Sequence, residues 1–86
     1  ARHTDLSFWR TRTGQEVDFI LERGGQLVGI EVKWSATLDR RQVKALRDCR
    51  QTLAPRWRMG VLLHGGTEPV ALDDQTAAIP FSCAFA

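Results

Sequence analysis

Two strand-like segments around a glycine pair constrain the fold of this chain more than any other feature. Residues 15–22 and 27–34 alternate apolar and polar side chains, which is the two-residue period of a β-strand. Gly24 and Gly25 lie between them, and a two-residue turn needs positive φ at both central positions, which glycine adopts without strain. The stretch therefore predicts a β-hairpin with a tight turn at the glycine pair.

The register of this hairpin sets polar side chains opposite one another. With a two-residue turn, Asp18 faces Glu31 and Glu16 faces Lys33. Directly opposed residues have Cβ atoms about 4.5–5.5 Å apart. Two carboxylates at that separation repel each other unless a proton or a cation lies between them. A face with only a structural role would tend to avoid this pairing, so the register predicts a cation site.

The predicted site has the oxygen ligands of a hard divalent cation. Magnesium usually takes one or two carboxylates together with waters and substrate phosphates. We therefore predict that Asp18 and Glu31 hold magnesium, or manganese in its place, with the carbonyl of Val32 as a third protein oxygen. The ammonium of Lys33 lies on the Glu31 face, where it suits activation of a water or stabilisation of a phosphoryl oxygen. Glu16, opposite Lys33, could pair with it or act through a water.

A structural explanation of the same residues stays open. The pattern Glu-x-Lys on a strand is commonly an exposed polar face. Glu16 and Lys33 would also make an ordinary cross-strand ion pair, worth roughly tenths of a kcal/mol. On this alternative the chain binds no metal.

Signals outside the hairpin complete the fold class. The predicted elements are a first strand at Leu6–Thr11, a helix capped by Thr37 or Asp39 and ended by Pro55, a buried strand at Met59–Leu63 and a short edge strand at Pro69–Leu72. Pro80 argues against regular structure near the end. The order βββαβ, with a further β after it, predicts an α/β (α+β) fold with an antiparallel meander and a right-handed crossover helix to a parallel strand.

Apolar spacing indicates which side chains meet between the sheet and the helix. The predicted helical stripe is Val43, Leu46, Cys49 and Leu53. The strand face predicted to pack under the helix is Val28, Ile30, Val32 and Trp34. In the first hairpin strand, Val17 and Phe19 face one way and Ile20 the other. Trp34 and Trp57 are thus expected in packing, and His64 in a structural role.

Basic side chains are concentrated on the predicted helix. Residues 37–58 hold seven basic and two acidic residues, whereas the net charge of the whole chain is only +2. Arg40, Lys44 and Arg47 form one helical stripe, and Arg41 lies beside it. Such a stripe predicts salt-dependent contact with nucleic-acid phosphates, independent of base sequence. A solvated helix face is the alternative.

Length and composition indicate the number of domains and the location of the protein. The 86 residues predict one domain over 1–86, and the lack of an initiator methionine suggests a piece of a larger protein. No apolar run approaches the roughly 20 residues that span a bilayer, so no membrane partner is expected. Cys49 and Cys83 form no disulfide framework, which favours a reducing, cytoplasmic location.

The ordered motif resembles the PD-(D/E)XK nuclease superfamily. Asp18 on one strand and Glu31-Val32-Lys33 on the next, followed by a helix and a strand, carry this resemblance over about Phe8 to Gly65. The stretch RTGQEVDFILERGGQLVGIEVKW looks like an uncharacterised domain that lies C-terminal to the nucleotide-binding module of prokaryotic AAA-type ATPases.

The resemblance implies a restriction-endonuclease-like fold and a nuclease activity. It implies that Asp18 and Glu31 hold magnesium, that Lys33 is the catalytic lysine, and that the substrate is a nucleic-acid phosphodiester, with DNA favoured over RNA. An ATPase module of the parent chain is the implied partner. The chain departs from the pattern in three ways. The helix that usually precedes the first strand is absent or lies outside the fragment, Gln42 is followed four residues on by Leu46 rather than tyrosine, and no GxxxxGK[ST] motif is present.

A non-catalytic module of the same fold is the second hypothesis. It would bind nucleic acid through the basic helix, or bind a protein partner through a sheet edge. Without a helix before the first strand, one sheet face would be poorly covered and would expose an apolar patch. Such a patch predicts a partner surface or a homodimer.

Overall fold

The computed structural model describes residues 4–12, 14–35 and 40–84. Its elements in chain order are β1 (Thr4–Arg10), β2 (Glu16–Arg23), β3 (Gln26–Lys33), α1 (Arg40–Leu53), β4 (Trp57–His64), β5 (Val70–Asp73), β6 (Thr76–Pro80) and α2 (Phe81–Ala84). The predicted helix caps, Thr37 and Asp39, lie outside the described residues. Neither described helix has the length and apolar character needed to cross a bilayer.

The described strands form one mixed sheet in the order β1-β2-β3-β4-β6-β5. Strands β1, β2 and β3 pair antiparallel, whereas β4 is parallel to both β3 and β6. The predicted meander, the parallel strand after the helix and the edge strand near Pro69–Leu72 are therefore confirmed. The expectation for Pro80 is wrong, since it is the buried last residue of β6. A proline there interrupts no ladder, because the strand ends with it.

The hairpin turn and its register are confirmed over most of its length. Gly24 and Gly25 have φ of 61° and 80°, as the predicted two-residue turn requires. The β2–β3 ladder runs from Arg23 opposite Gln26 to Phe19 opposite Ile30, which is the predicted register.

A bulge interrupts β2 just beyond this ladder. Where β1 contributes one residue, β2 contributes two, Asp18 and Phe19. Val17 and Ile20 are consequently both buried, with exposed fractions of 0% and 5%. The prediction that these two side chains face opposite ways is wrong, because the extra residue of a bulge resets the alternation.

The core lies between α1 and one face of the sheet. Its fully buried side chains include Leu46 and Cys49 of the predicted helical stripe, and Val43 and Leu53 pack against it as partly buried residues. Trp57 lies over Gly29 of β3, where an added Cβ would come within 2.3 Å of the indole ring.

The helix covers the face of β3 opposite to the one predicted. Leu27 and Glu31 lie on the covered face and are buried, whereas Val28, Ile30 and Val32 are half-buried on the other side. Trp34 follows the end of β3 and is 82% exposed. Alternation shows that the two faces of a strand differ, but it does not show which face a helix covers. Here the space above Gly29 accommodates Trp57, and this determines which face of β3 the helix covers.

The face away from α1 exposes large apolar side chains. Leu6, Phe8 and Phe19 lie there and are 63%, 68% and 42% exposed. This is the feature on which the interaction-module hypothesis depends.

The contact between Gly29 and Trp57 yields a stability prediction. We expect Gly29→Ala to lower the free energy of unfolding by about 1–3 kcal/mol, because the new methyl group overlaps a rigid indole ring. Urea unfolding measures this loss. Adding Trp57→Phe, which leaves more room above residue 29, should recover part of it in a double-mutant cycle. Additive losses would contradict the proposed overlap.

Candidate functional site

Asp18 and Glu31 hold β2 and β3 together beside the bulge. The backbone N–H of Asp18 donates to Glu31 Oε1 at 3.1 Å. The backbone N–H of Val32 donates to Asp18 Oδ2 at 2.9 Å. Each carboxylate thus accepts a hydrogen bond from the neighbouring strand, so the two acidic groups lie side by side although the ladder ends one pair before them.

This arrangement changes the ionisation of Glu31. The residue is only 7% exposed, and its pKa is raised to about 8, with burial as the largest cause. A hydrogen bond with the Asp18 carboxyl group and the negative charge of Asp18 act in the same direction, the Asp18 backbone N–H acts against them, and the charge of Glu16 contributes least. Without a cation, Glu31 is therefore largely protonated at neutral pH. A bound cation would replace that proton as the compensating charge.

The described structure has a cleft of about 500 Å³ that brings most of the predicted site residues together. Its charged lining residues are Glu16, Glu31, Lys33, Arg41 and Lys44. Asp18 lies directly against it, through the hydrogen bonds that join β2 and β3. The cleft thus places two carboxylates of the predicted site next to three cationic side chains.

Gln42 of α1 reaches the same place and was not predicted as a site residue. Its Nε2 donates to the carbonyl oxygen of Val32 at 3.1 Å. Its Oε1 is buried and accepts no hydrogen bond within the described chain. The Val32 contact fixes the amide orientation, so the acceptor left over needs a donor or a cation. Two signals could have indicated this role: the position of Gln42 early in the helix after β3, and its match to the glutamine of the helical pattern whose tyrosine this chain lacks.

The Val32 carbonyl is therefore already engaged, although a carbonyl oxygen has a second lone pair for another partner. Within the described residues, no group of three or more His, Cys, Asp or Glu side chains is placed to share a metal. The protein ligands for a cation are thus the two carboxylates, with waters or substrate phosphates to complete its coordination.

Glu16 contacts a basic residue of the neighbouring strand β1. Its carboxylate forms an ion pair with Arg10 of β1 at 3.3 Å, and both side chains are more than half exposed. The β2–β3 ladder ends before Glu16, so the predicted facing of Glu16 and Lys33 does not form as a strand pair. On the other edge of β2, beyond the bulge, Glu16 pairs with Arg10 of β1.

The predicted basic stripe of α1 lies along two grooves. Arg41 and Lys44 line the cleft beside Glu31. Arg40, Lys44 and Arg47 line a second groove of about 720 Å³ between α1 and β5. Lys44 also contacts Asp48 at 2.6 Å, and Arg47 contacts Asp73 at 3.1 Å. These carboxylates offset part of the positive charge that the sequence concentrates on the helix.

His64, for which we expected a structural role, lies next to Lys33. It pairs with Lys33 across the parallel β3–β4 ladder and is 4% exposed. Its Nδ1 accepts a hydrogen bond from the backbone N–H of Gly66 at 3.0 Å. Its buried Nε2 has no partner in the part of the chain that the structure describes. Only the parallel pairing of β4 with β3 places it beside Lys33.

The fold and the site together define a mixed α/β domain with paired carboxylates and a lysine in a basic cleft. The chain belongs to the family described as Domain of unknown function (DUF4143), whose model matches residues 1–84. No curated protein and no solved structure matches the chain.

The pKa of Glu31 predicts how stability changes with pH. A carboxyl group with a raised pKa favours folding most below its ordinary value of 4.5, and this contribution is lost as the pH rises through about 8. Relative to Glu31→Gln, the metal-free native protein should lose at most about 5 kcal/mol of unfolding free energy between acidic and alkaline pH.

Urea unfolding at several pH values in a chelator measures this difference. Glu68→Gln removes an exposed carboxylate and serves as the matched control, for which the difference from the native protein should be flat. A flat difference for Glu31→Gln as well would show that Glu31 titrates normally.

Proposed function

We propose that this chain is a metal-dependent, nuclease-like domain of the PD-(D/E)XK type that hydrolyses nucleic-acid phosphodiesters. The observation that carries the proposal is the side-by-side placement of the Asp18 and Glu31 carboxylates, with Lys33 in the same cleft. The antiparallel meander followed by α1 and a parallel β4 agrees with a restriction-endonuclease-like fold.

The residues of the cleft fit a magnesium or manganese ion. Asp18 and Glu31 would hold it, and the Val32 carbonyl and the unpartnered Gln42 Oε1 are the other oxygens nearby. Two carboxylates that otherwise need a shared proton are a suitable donor set for a hard cation. When bound, such an ion supplies Lewis acidity toward a phosphoryl oxygen and lowers the pKa of a water.

The other cleft residues have roles that follow from their charge. The ammonium of Lys33, two residues after Glu31 on the same strand, would stabilise negative charge that develops on a phosphoryl oxygen. Arg41 and Lys44 would hold the flanking phosphates, and Arg40 and Arg47 would extend this contact along the second groove. Glu16, at the cleft rim, would position Arg10 or a water.

DNA is the substrate we propose first, with an AAA-type ATPase module of the parent protein as the partner. Phosphate contacts of this kind do not depend on base sequence, so the proposal implies no sequence-specific recognition. The resemblance described above supports the ATPase partner, since the motif around Asp18, Glu31 and Lys33 carries it.

An interaction module of the same fold is the second candidate. The exposed Leu6, Phe8 and Phe19 on the face away from α1 favour it, because a contiguous apolar surface of this kind suits a protein partner or a second copy of the chain. Metal and nucleic-acid binding without hydrolysis would favour this candidate.

A magnesium or manganese titration followed by backbone amide NMR tests the metal site. We expect shifts localised to Asp18, Glu31, Val32 and Lys33, because their amides lie within or next to the carboxylate pair. Asp18→Asn should abolish them, whereas Glu68→Gln, which removes the same charge elsewhere, should not. Spectra unchanged at millimolar metal would refute metal binding by this domain.

A cleavage assay tests the catalytic proposal. Lys33→Met should lower the rate of DNA hydrolysis at least about 100-fold, because it removes the cation proposed to stabilise the phosphoryl oxygen. Metal-induced NMR shifts should persist in this variant. Arg58→Gln, an exposed cation on β4, is the matched control and should cleave normally. Equal rates for Lys33→Met and the native protein would exclude the proposed role of Lys33.

A further inference from the structure

Trp34 has an unusual position beside the proposed site. It follows Lys33 directly and, at 82%, is the most exposed of the large apolar side chains in the described chain. Tryptophan is highly buried on average, so an indole this exposed calls for an explanation. The core residues around α1 provide none, because α1 packs on the other face of β3.

The indole is nevertheless held in place by an aromatic neighbour. It stacks on Phe81 with ring centroids 5.1 Å apart and an interplanar angle of 25°. Phe81 is the first residue of α2 and follows Pro80, the buried end of β6. The exposed ring is therefore supported from behind by the end of the sheet, and most of its surface stays open to solvent.

The backbone that carries Trp34 is also fixed to the sheet. The carbonyl of Ser35 accepts a hydrogen bond from the N–H of Gly65 at 3.1 Å. A Cβ added at Gly65 would lie 2.7 Å from the Trp34 carbonyl oxygen, so the chain after β4 passes very close to the chain after β3. Trp34 is thus a preorganised aromatic surface, with little ordering entropy left to lose on binding.

The neighbourhood of Trp34 indicates which ligand this surface fits. Lys33 precedes it in the chain, so the two Cα atoms are about 3.8 Å apart. Alternation directs Lys33 toward the α1 side of β3 and Trp34 away from it, so a nucleotide, in which a flat base and an anionic phosphate are joined through a sugar, engages both only by bending around the end of the strand. Because β3 ends at Lys33, a strand with a phosphate in the cleft can pass over this end and reach the indole.

We propose that Trp34, supported by Phe81, is a stacking platform for an unpaired nucleobase, and that the substrate is single-stranded nucleic acid. The inference rests on the proposed function and specifies its substrate class. Bases of a duplex are already stacked on both faces, so only an unpaired or extruded base can use the platform. Stacking on an aromatic side chain tolerates any base, which agrees with phosphate contacts that carry no sequence information.

Fluorescence anisotropy in a chelator, where metal-dependent hydrolysis does not interfere, tests the platform. The probes are a single-stranded oligothymidylate, an abasic oligomer of the same length and a duplex. Trp34→Ala should weaken binding of the oligothymidylate about 10-fold and leave binding of the abasic oligomer and the duplex unchanged. Trp34→Phe should retain most of the affinity, because a phenyl ring also stacks.

Phe8→Ala is the matched control, since Phe8 is another highly exposed aromatic side chain, on the edge strand β1. It should bind all three probes like the native protein. Thermal unfolding of each variant checks that the fold is intact, which we expect because Trp34 contributes little to the core.

Several results would overturn the platform. These are no binding of the oligothymidylate by the native protein, no loss in Trp34→Ala, or the same loss with the abasic oligomer. Loss of self-association in Trp34→Ala, with unchanged affinity for the oligothymidylate, would instead make the residue part of an interface between copies of the chain. The anisotropy assay contains no metal, so it measures binding whether or not the domain hydrolyses nucleic acid. If Trp34→Ala kept both its rate of hydrolysis and its affinity for the oligothymidylate, the stacking platform would be refuted and the proposed nuclease function would stand.

Discussion

The exchange of hydrogen bonds between two carboxylates and two backbone amides is the constraint on which the rest of the structure depends. Asp18 and Glu31 accept from the amides of Val32 and Asp18 at the point where the β2–β3 ladder stops. The bulge beside them turns Val17 into the core, and beyond it Glu16 pairs with Arg10 of β1. The same groups that join the strands therefore form an acidic pair of a buried Glu31 and a half-buried Asp18, which needs a proton or a cation.

The helix completes this arrangement from the other side. Gln42 donates to the Val32 carbonyl, so α1 is tied to the strand that carries the carboxylate and the lysine. Arg41 and Lys44 on the same helical turn then face the cleft beside Glu31. Packing and chemistry are linked here, because the side chain that positions the helix also sets the distance between the acidic pair and the basic residues.

The sheet has two unlike faces, because α1 covers one of them and leaves apolar side chains exposed on the other. Trp57 fills the space over Gly29 on the face that α1 covers, whereas Trp34 stands exposed beyond the end of β3. The two tryptophans are thus used in opposite ways. The uncovered face also keeps Phe8 and Phe19 accessible, so a protein partner remains a compatible second role for the same domain.

The sequence by itself determined the hairpin and its register as far as Phe19 opposite Ile30, because the glycine turn and strand alternation are local rules. It also indicated the helix and the parallel strand after it. Only the tertiary structure decided that a bulge interrupts β2 beside the acidic pair, that α1 covers the Gly29 face and that Trp34 is exposed. These outcomes depend on how distant elements fill space against one another, and residue spacing along a single strand carries no information about that.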